Sequence, residues 1–144
     1  MNDPVVVGAG PPPRAGGVDL FLELVAAIST RAPAEFVWVG ERPRGVAHRL
    51  DAEIEAFGGR AQVDWRARGS APAGPEVVLV VTARSQDAAR AALSEVATGT
   101  RVVGLESDPD VTEVLRAAGS PTVRYPDVAE LAERILSPGE PDTP

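Results

Sequence analysis

The chain has 144 residues, a formal net charge of −7 and no cysteine. A chain of this length fits one domain that buries roughly 70% of its unfolded surface, so it can form its own hydrophobic core. The negative charge disfavours nonspecific binding to nucleic acid or anionic lipid. The lack of cysteine excludes disulfides, thiolate catalysis and cysteine zinc sites.

The N-terminal sequence MNDP has neither the basic region nor the apolar region of a signal peptide. No apolar run approaches the ~18–20 residues that span a bilayer. We therefore expect a cytoplasmic protein without a membrane span.

Short valine-rich runs alternate with segments of helical periodicity, which predicts repeated βα units. We expect a single Rossmann-like, three-layer α/β domain over residues 1–136, with a six-stranded and mainly parallel sheet. Near-continuous valine content is typical of strands that are covered on both faces. The predicted strands are residues 5–7, 35–39, 61–64, 77–81, 101–105 and 122–125.

Five helices are predicted between and after these strands. The first has an apolar face from Val18 to Ile28, and the others cover about residues 46–57, 85–98, the segment after Asp108-Pro109, and 127–136. Between the third and fourth strands only RARGSAPAGP remains, which is short and poor in helix formers. We expect an irregular crossover there, and a frayed tail over residues 137–144.

A glycine-rich turn, GAGPPPRAGG, precedes the first helix. Such a turn at a helix N-terminus can bind phosphate through unpaired N–H groups. It is not a dinucleotide fingerprint, because Pro13 stands where the third glycine would be. Three prolines also remove three amide donors, so the turn by itself favours a structural role.

The run EVVLVVTARSQDAARAALSEVATGTRVV, residues 76–103, predicts strand, turn, helix and strand. It resembles the donor-sugar motif of retaining glycosyltransferases of family 4. The alignment rests on the residues that the motif keeps after its helix: Ala97, Gly99, Val102 and Val103. Gln86 and Ser94 then stand at the positions of the two glutamates that in this family contact the donor sugar and the ribose.

The segment 17–21, GVDLF, and the strand end GERP at residues 40–43 are similar to the opening of the same donor domain. The family's lysine, which neutralises the donor diphosphate, falls on Gly16, and we expect Arg14 to reach the same anion. Arg84 keeps its place after the fourth strand. The resemblance implies a nucleotide-sugar site formed by these residues: Gly10, Arg14, Gly16, Gly40, Arg84, Gln86 and Ser94.

Other chemistry-bearing residues favour structural roles. The acidic residues Glu106, Asp108, Asp110 and Glu113 are explained better by a helix N-terminus than by a metal ion, and we expect no metal site. His48 is expected to be a solvated surface residue, and Trp38 and Trp65 to pack in the core. The arginines at strand ends, Arg66, Arg68 and Arg84, suggest an anion pocket at that edge.

The resemblance corresponds to the C-terminal, donor-binding half of a GT-B glycosyltransferase. Met1 falls just before the first strand, so we expect the acceptor-binding half to be missing. The resemblance implies a degenerate donor domain with no catalytic residue, which binds a nucleotide-diphosphate sugar and needs no other cofactor. Its expected partner is a separate acceptor-domain chain or a second copy. The alternative is a noncatalytic interaction or scaffold module.

Overall fold

In the computed structural model, residues 3–10, 17–40, 63–97, 99–124 and 127–136 are described. Arg14, Gly16, His48, the predicted helix over residues 46–57 and the tail after residue 136 lie outside these ranges. The strands are β1 (Val5–Ala9), β2 (Glu35–Val39), β3 (Val63–Arg66), β4 (Val77–Val81), β5 (Arg101–Glu106) and β6 (Thr122–Arg124). The helices of the described ranges are α1 (Val18–Ser29), α2 (Gln86–Ser94), α3 (Pro109–Ala117) and α4 (Val128–Leu136).

The six strands form one sheet in the order β3-β2-β1-β4-β5-β6, and every neighbouring pair is parallel. The predicted Rossmann-like α/β domain is therefore confirmed, with a sheet that is wholly rather than mainly parallel. In the centre of the sheet, Val6 of β1 pairs with Phe36 of β2 on one side and with Val78 of β4 on the other.

The third strand extends two residues beyond its predicted end at Asp64, and residues 61 and 62 of the prediction lie outside the described ranges. Residues 61–64 are the more apolar stretch, but β3 continues to Arg66 because it pairs with β2 from Phe36↔Val63 to Val39↔Arg66. Pairing with the buried strand β2 thus decides where this edge strand ends, rather than the hydropathy of β3 itself. Only its first two residues fall within the predicted range.

Helices cover both faces of the sheet, which gives the three layers. On one face, Phe21, Leu24 and Ile28 of α1 pack with Leu131 and Ile135 of α4 in a fully buried cluster over the sheet. On the other face, α2 and α3 pack against the buried side chains of the central strands that point to that face. That contact is made by small side chains of α2 and larger ones of α3: Ala88, Ala89, Ala92, Val111 and Leu115.

The caps of α2 and α3 explain where these helices begin. Ser85 precedes α2, and its hydroxyl accepts a hydrogen bond from the Ala88 N–H at 3.2 Å. Asp108 precedes α3, and its carboxylate accepts from the Asp110 N–H at 2.8 Å. Pro109 occupies the first position of α3, where its missing N–H costs nothing. The predicted N-terminal cap at Asp108 is confirmed.

The connection from β3 to β4 is an irregular loop, residues 67–76, as predicted. The Glu95 carboxylate, just after α2, holds it: it accepts from the Gly69 N–H at 2.8 Å and lies 3.7 Å from Nε of Arg68. Ala71 packs against the core on the α2 face. A tethered loop therefore stands on this face in place of the usual crossover helix.

Arg101, at the start of β5, joins the sheet to the end of α4. Its guanidinium donates to the carbonyl of Ile135 at 3.3 Å and to that of Arg134. A cation at a helix C-terminus satisfies carbonyls that lack helical partners and is favoured by the dipole. Partial burial lowers the pKa of the Arg101 guanidinium below its usual value.

No helix within the described ranges combines the length and the apolar character needed to cross a membrane.

The packing of α4 on α1 gives a test of the fold. Leu131→Ala should lower the free energy of unfolding by about 2–5 kcal/mol, because Leu131 is fully buried between α4 and the sheet face. The same change at Leu136, which is only half-buried, should cost clearly less. Urea denaturation followed by circular dichroism measures both, and equal losses would contradict the packing described.

Candidate functional site

The chain reverses its direction of travel across the sheet between β1 and β4. From β1 it proceeds through α1 to β2 on one side, whereas from β4 it proceeds through α2 to β5 on the other. In open parallel sheets the crevice outside the carboxyl ends of such strands is where ligands bind. We call the side of the sheet where the strands end the carboxyl edge, and the β1/β4 position the switch point.

Gly17 fixes the start of α1 at the switch point. It is the N-cap residue with φ 73°, and its carbonyl accepts a hydrogen bond from the buried Thr82 hydroxyl at 2.8 Å. An added Cβ at Gly17 would lie 1.8 Å from the backbone oxygen of Thr82. Only glycine permits both this left-handed conformation and this approach, so α1 begins directly against the end of β4.

Because its N-cap residue is a glycine, α1 has no hydrogen bond from an N-cap side chain. The Phe21 N–H donates to the Gly17 carbonyl at 3.1 Å and closes the first turn. N–H groups of the first turn that precede Phe21 cannot find a carbonyl within the helix. They and the helix dipole favour an anionic group at this point of the carboxyl edge.

Two further glycines line the carboxyl edge beside the switch point. The Gly10 N–H donates to the Val39 carbonyl at 3.3 Å, and the Gly40 N–H donates to the Arg66 carbonyl at 2.8 Å. A Cβ on Gly40 would approach the Gly10 carbonyl oxygen to 2.6 Å. The chain ends of β1 and β2 thus lie backbone against backbone, with no side chain between them.

The structure brings four of the predicted site residues to this edge. Gly10 follows β1 and Gly40 follows β2, while Arg84 and Gln86 lie between the end of β4 and the first turn of α2. Both Arg84 and Gln86 are half-buried.

Ser94 lies at the opposite end of α2 from Gln86. The two positions are eight residues apart in the helix, which is roughly 12 Å along its axis. The Ser94 hydroxyl is exposed and donates to the Ala91 carbonyl at 2.7 Å. A ligand at the carboxyl edge that contacts Gln86 therefore does not meet Ser94 as well.

The predicted arginine cluster is not one group. Arg66 forms an ion pair with Asp64 at 2.7 Å, and Arg68 approaches Glu95 at 3.7 Å. Their charges are thus balanced by neighbouring carboxylates along the crossover loop. Only Arg84 of the three follows a central strand at the switch point.

Three of the four acidic residues at the end of β5, Glu106, Asp108 and Glu113, line an open cleft of about 640 Å³. Asp108 caps α3, and the Glu106 carboxylate accepts from the Thr122 hydroxyl at 2.8 Å and lies 3.9 Å from Arg116. Across the described ranges, no group of three or more His, Asp or Glu side chains is arranged to hold a metal ion. Glu106 and Asp108 thus support the local structure of β5, β6 and α3.

No protein-family model matches this chain, and no curated protein sequence matches it. The site is therefore defined by the geometry above, and the resemblance to a donor domain stays a resemblance of sequence.

Sequence reasoning missed Thr82, whose hydroxyl anchors the start of α1. Its signal in the sequence is a single hydroxyl residue at the end of the apolar strand VVLVV, before the Arg84 turn. The partner, Gly17, is 65 positions away along the chain. Nothing local in the sequence joins the two.

A pair of glycine substitutions tests this contact. Gly17→Ala and Gly119→Ala change residues with the same φ of 73°, but an added Cβ at Gly119 meets nothing within 4 Å. The left-handed conformation costs about 1–2 kcal/mol in both. Only Gly17→Ala should lose a further ~1–3 kcal/mol from the collision with Thr82.

Chemical denaturation of both variants measures the difference. An alanine at position 17 that costs no more than one at position 119 would contradict the close approach of α1 to β4.

Proposed function

We propose that this domain binds a nucleoside diphosphate, or a sugar carried on one, at the carboxyl edge of its sheet, and that it does not transfer the sugar by itself. The observation that carries this proposal is the uncapped start of α1 at the switch point, fixed by the contact between Gly17 and Thr82. It is joined by the sequence resemblance to a family 4 donor domain, whose ligand is of this class.

The charges at the edge suit a diphosphate. Helices α1 and α2 both begin there, so the positive ends of two helix dipoles face the same crevice. Arg84 precedes α2 at the same edge. On the sequence, Arg14 belongs to the turn before α1, and the proposal assigns it the counter-charge that the family's lysine supplies.

The side chains at the edge are poor in catalytic groups. Gln86 is neutral, so it can exchange hydrogen bonds with a hydroxyl but cannot stabilise a developing oxocarbenium ion with negative charge. Ser94, at the other end of α2, cannot take the place of the second carboxylate. Transfer in a GT-B enzyme takes place between two domains, so the proposal assigns any transfer to a complex with an acceptor-domain partner.

Thermal denaturation with UDP-, GDP- and dTDP-sugars tests binding. A ligand at a hundred times its Kd stabilises the folded state by about 2.7 kcal/mol, which raises Tm by roughly 5–10 °C for a chain of this size. At least one of the three should do so. If none raises Tm, the binding proposal fails; if the chain alone cleaves or transfers the sugar, the noncatalytic part fails.

A matched pair of variants on α2 locates the ligand. Gln86→Ala should weaken binding of the nucleotide sugar by roughly three- to tenfold, the worth of one hydrogen bond. Ser94→Ala should leave the affinity unchanged, because Ser94 lies at the far end of the helix. Isothermal titration calorimetry measures both, and a loss confined to Ser94→Ala would place the ligand at the other edge of the sheet.

A further inference from the structure

The turn from β4 into α2 brings two of the predicted site residues, Arg84 and Gln86, to the switch point. Its first two residues, Thr82 and Ala83, are almost completely buried. Its last residue, Ser85, is the N-cap of α2. The contacts that hold this turn therefore also set the position of Arg84 and of the first turn of α2.

Two hydroxyl groups bond this turn to the rest of the fold. The Thr82 hydroxyl donates to the Gly17 carbonyl at 2.8 Å, which joins the turn to the start of α1. The Ser107 hydroxyl donates to the Ala83 carbonyl at 2.6 Å, which joins the turn to the residue after β5. Because β1, which leads into α1, and β5 are the two neighbours of β4 in the sheet, the turn is bonded from both sides.

Ser107 is itself held by the backbone of the short connection between β5 and α3. Its N–H donates to the carbonyl of the fully buried Leu105 at 2.9 Å. The next residue, Asp108, is the N-cap of α3. The direction of the Ser107 hydroxyl is thus fixed by the end of β5 and the start of α3, without any ligand.

We propose that Ser107 is a positioning residue for the bound nucleotide. Together with Thr82, it holds the turn after β4 so that Arg84 and the first turn of α2 face the start of α1 before the ligand arrives. This inference rests on the proposed function and adds to it the residues that prepare the site. A site whose binding groups are already in place loses less conformational freedom when the ligand binds. The Ser107 hydroxyl therefore contributes to affinity through Arg84 and α2, without touching the ligand.

The chain supplies a matched control at the other end of β5. The Ser120 hydroxyl donates to the Val102 carbonyl at 3.3 Å and to the Pro121 carbonyl at 3.0 Å, close to where β5 begins. Ser107→Ala and Ser120→Ala each remove a hydroxyl that bonds a backbone carbonyl, but at opposite edges of the sheet. Ser107→Thr keeps the hydroxyl, and its added methyl group has room because Ser107 lines an open cleft.

Calorimetric titration of the full chain with UDP, GDP and dTDP is the first measurement. Ser107→Ala should weaken binding of the nucleoside diphosphate by roughly three- to tenfold, the effect of one lost hydrogen bond. Ser107→Thr should bind nearly as well as the wild type, and Ser120→Ala should leave the affinity unchanged. Urea denaturation of the same variants checks that each is folded at the temperature of the titration.

A second residue makes the test independent of the folding of Ser107→Ala. Thr82→Val removes the other hydroxyl with little change of shape, so it should weaken nucleotide binding in the same way. Thr82→Ser keeps the hydroxyl and should not.

The last measurement asks whether Ser107 acts through Arg84. In an Arg84→Ala background, Ser107→Ala should cost clearly less affinity than it does in the wild type, because two residues that act together are not additive. An equal cost in both backgrounds, or an affinity that neither Ser107→Ala nor Thr82→Val lowers, would overturn this inference while the proposed function stands. If the wild type binds none of the three nucleoside diphosphates, both are overturned.

Discussion

The contact between Gly17 and Thr82 is the constraint on which the rest of the site depends. It joins the first residue before α1 to the end of β4, through a hydrogen bond of 2.8 Å and a backbone approach that admits no Cβ. Because α1 packs over the sheet through Phe21 and Leu24, fixing its start also fixes the position of the whole helix. The opening between the ends of β1 and β4 is thereby set by the backbone.

Glycine is used at this edge to bring segments of the chain close together. At position 17 it gives α1 an N-terminus without a side-chain cap. At position 40 it lets β2 end against the Gly10 carbonyl, beside the unpartnered N–H of Trp38. The start of α1 and the Trp38 indole nitrogen thus lie on the same side of the sheet. The dipole of α1 favours an anionic group at its N-terminus, which agrees with the ligand proposed above.

Much of the fold follows from the sequence, since valine-rich strands and helical periodicity are local signals. The N-terminal cap at Asp108 could be predicted, because Asp is a favoured N-cap residue and Pro is favoured at the first position of a helix. The end of β3 could not be predicted in the same way, because its pairing with β2 is a long-range property. The sequence placed Trp38 in the core but could not show its missing acceptor. The sequence aligned Gln86 and Ser94 with the two glutamates of one donor site, but the distance between them appears only once α2 is known to begin at Gln86.

A titration of the isotopically labelled chain with UDP, followed through its backbone amide NMR signals, tests most directly whether a nucleotide binds at the carboxyl edge. The predicted result is a set of shifted amides that cluster at Gly10, Gly17, Gly40 and Ser85, with Ser94 and Gly119 unmoved. Amide shifts confined to the opposite ends of the strands, or none at millimolar UDP, would contradict this placement of the ligand.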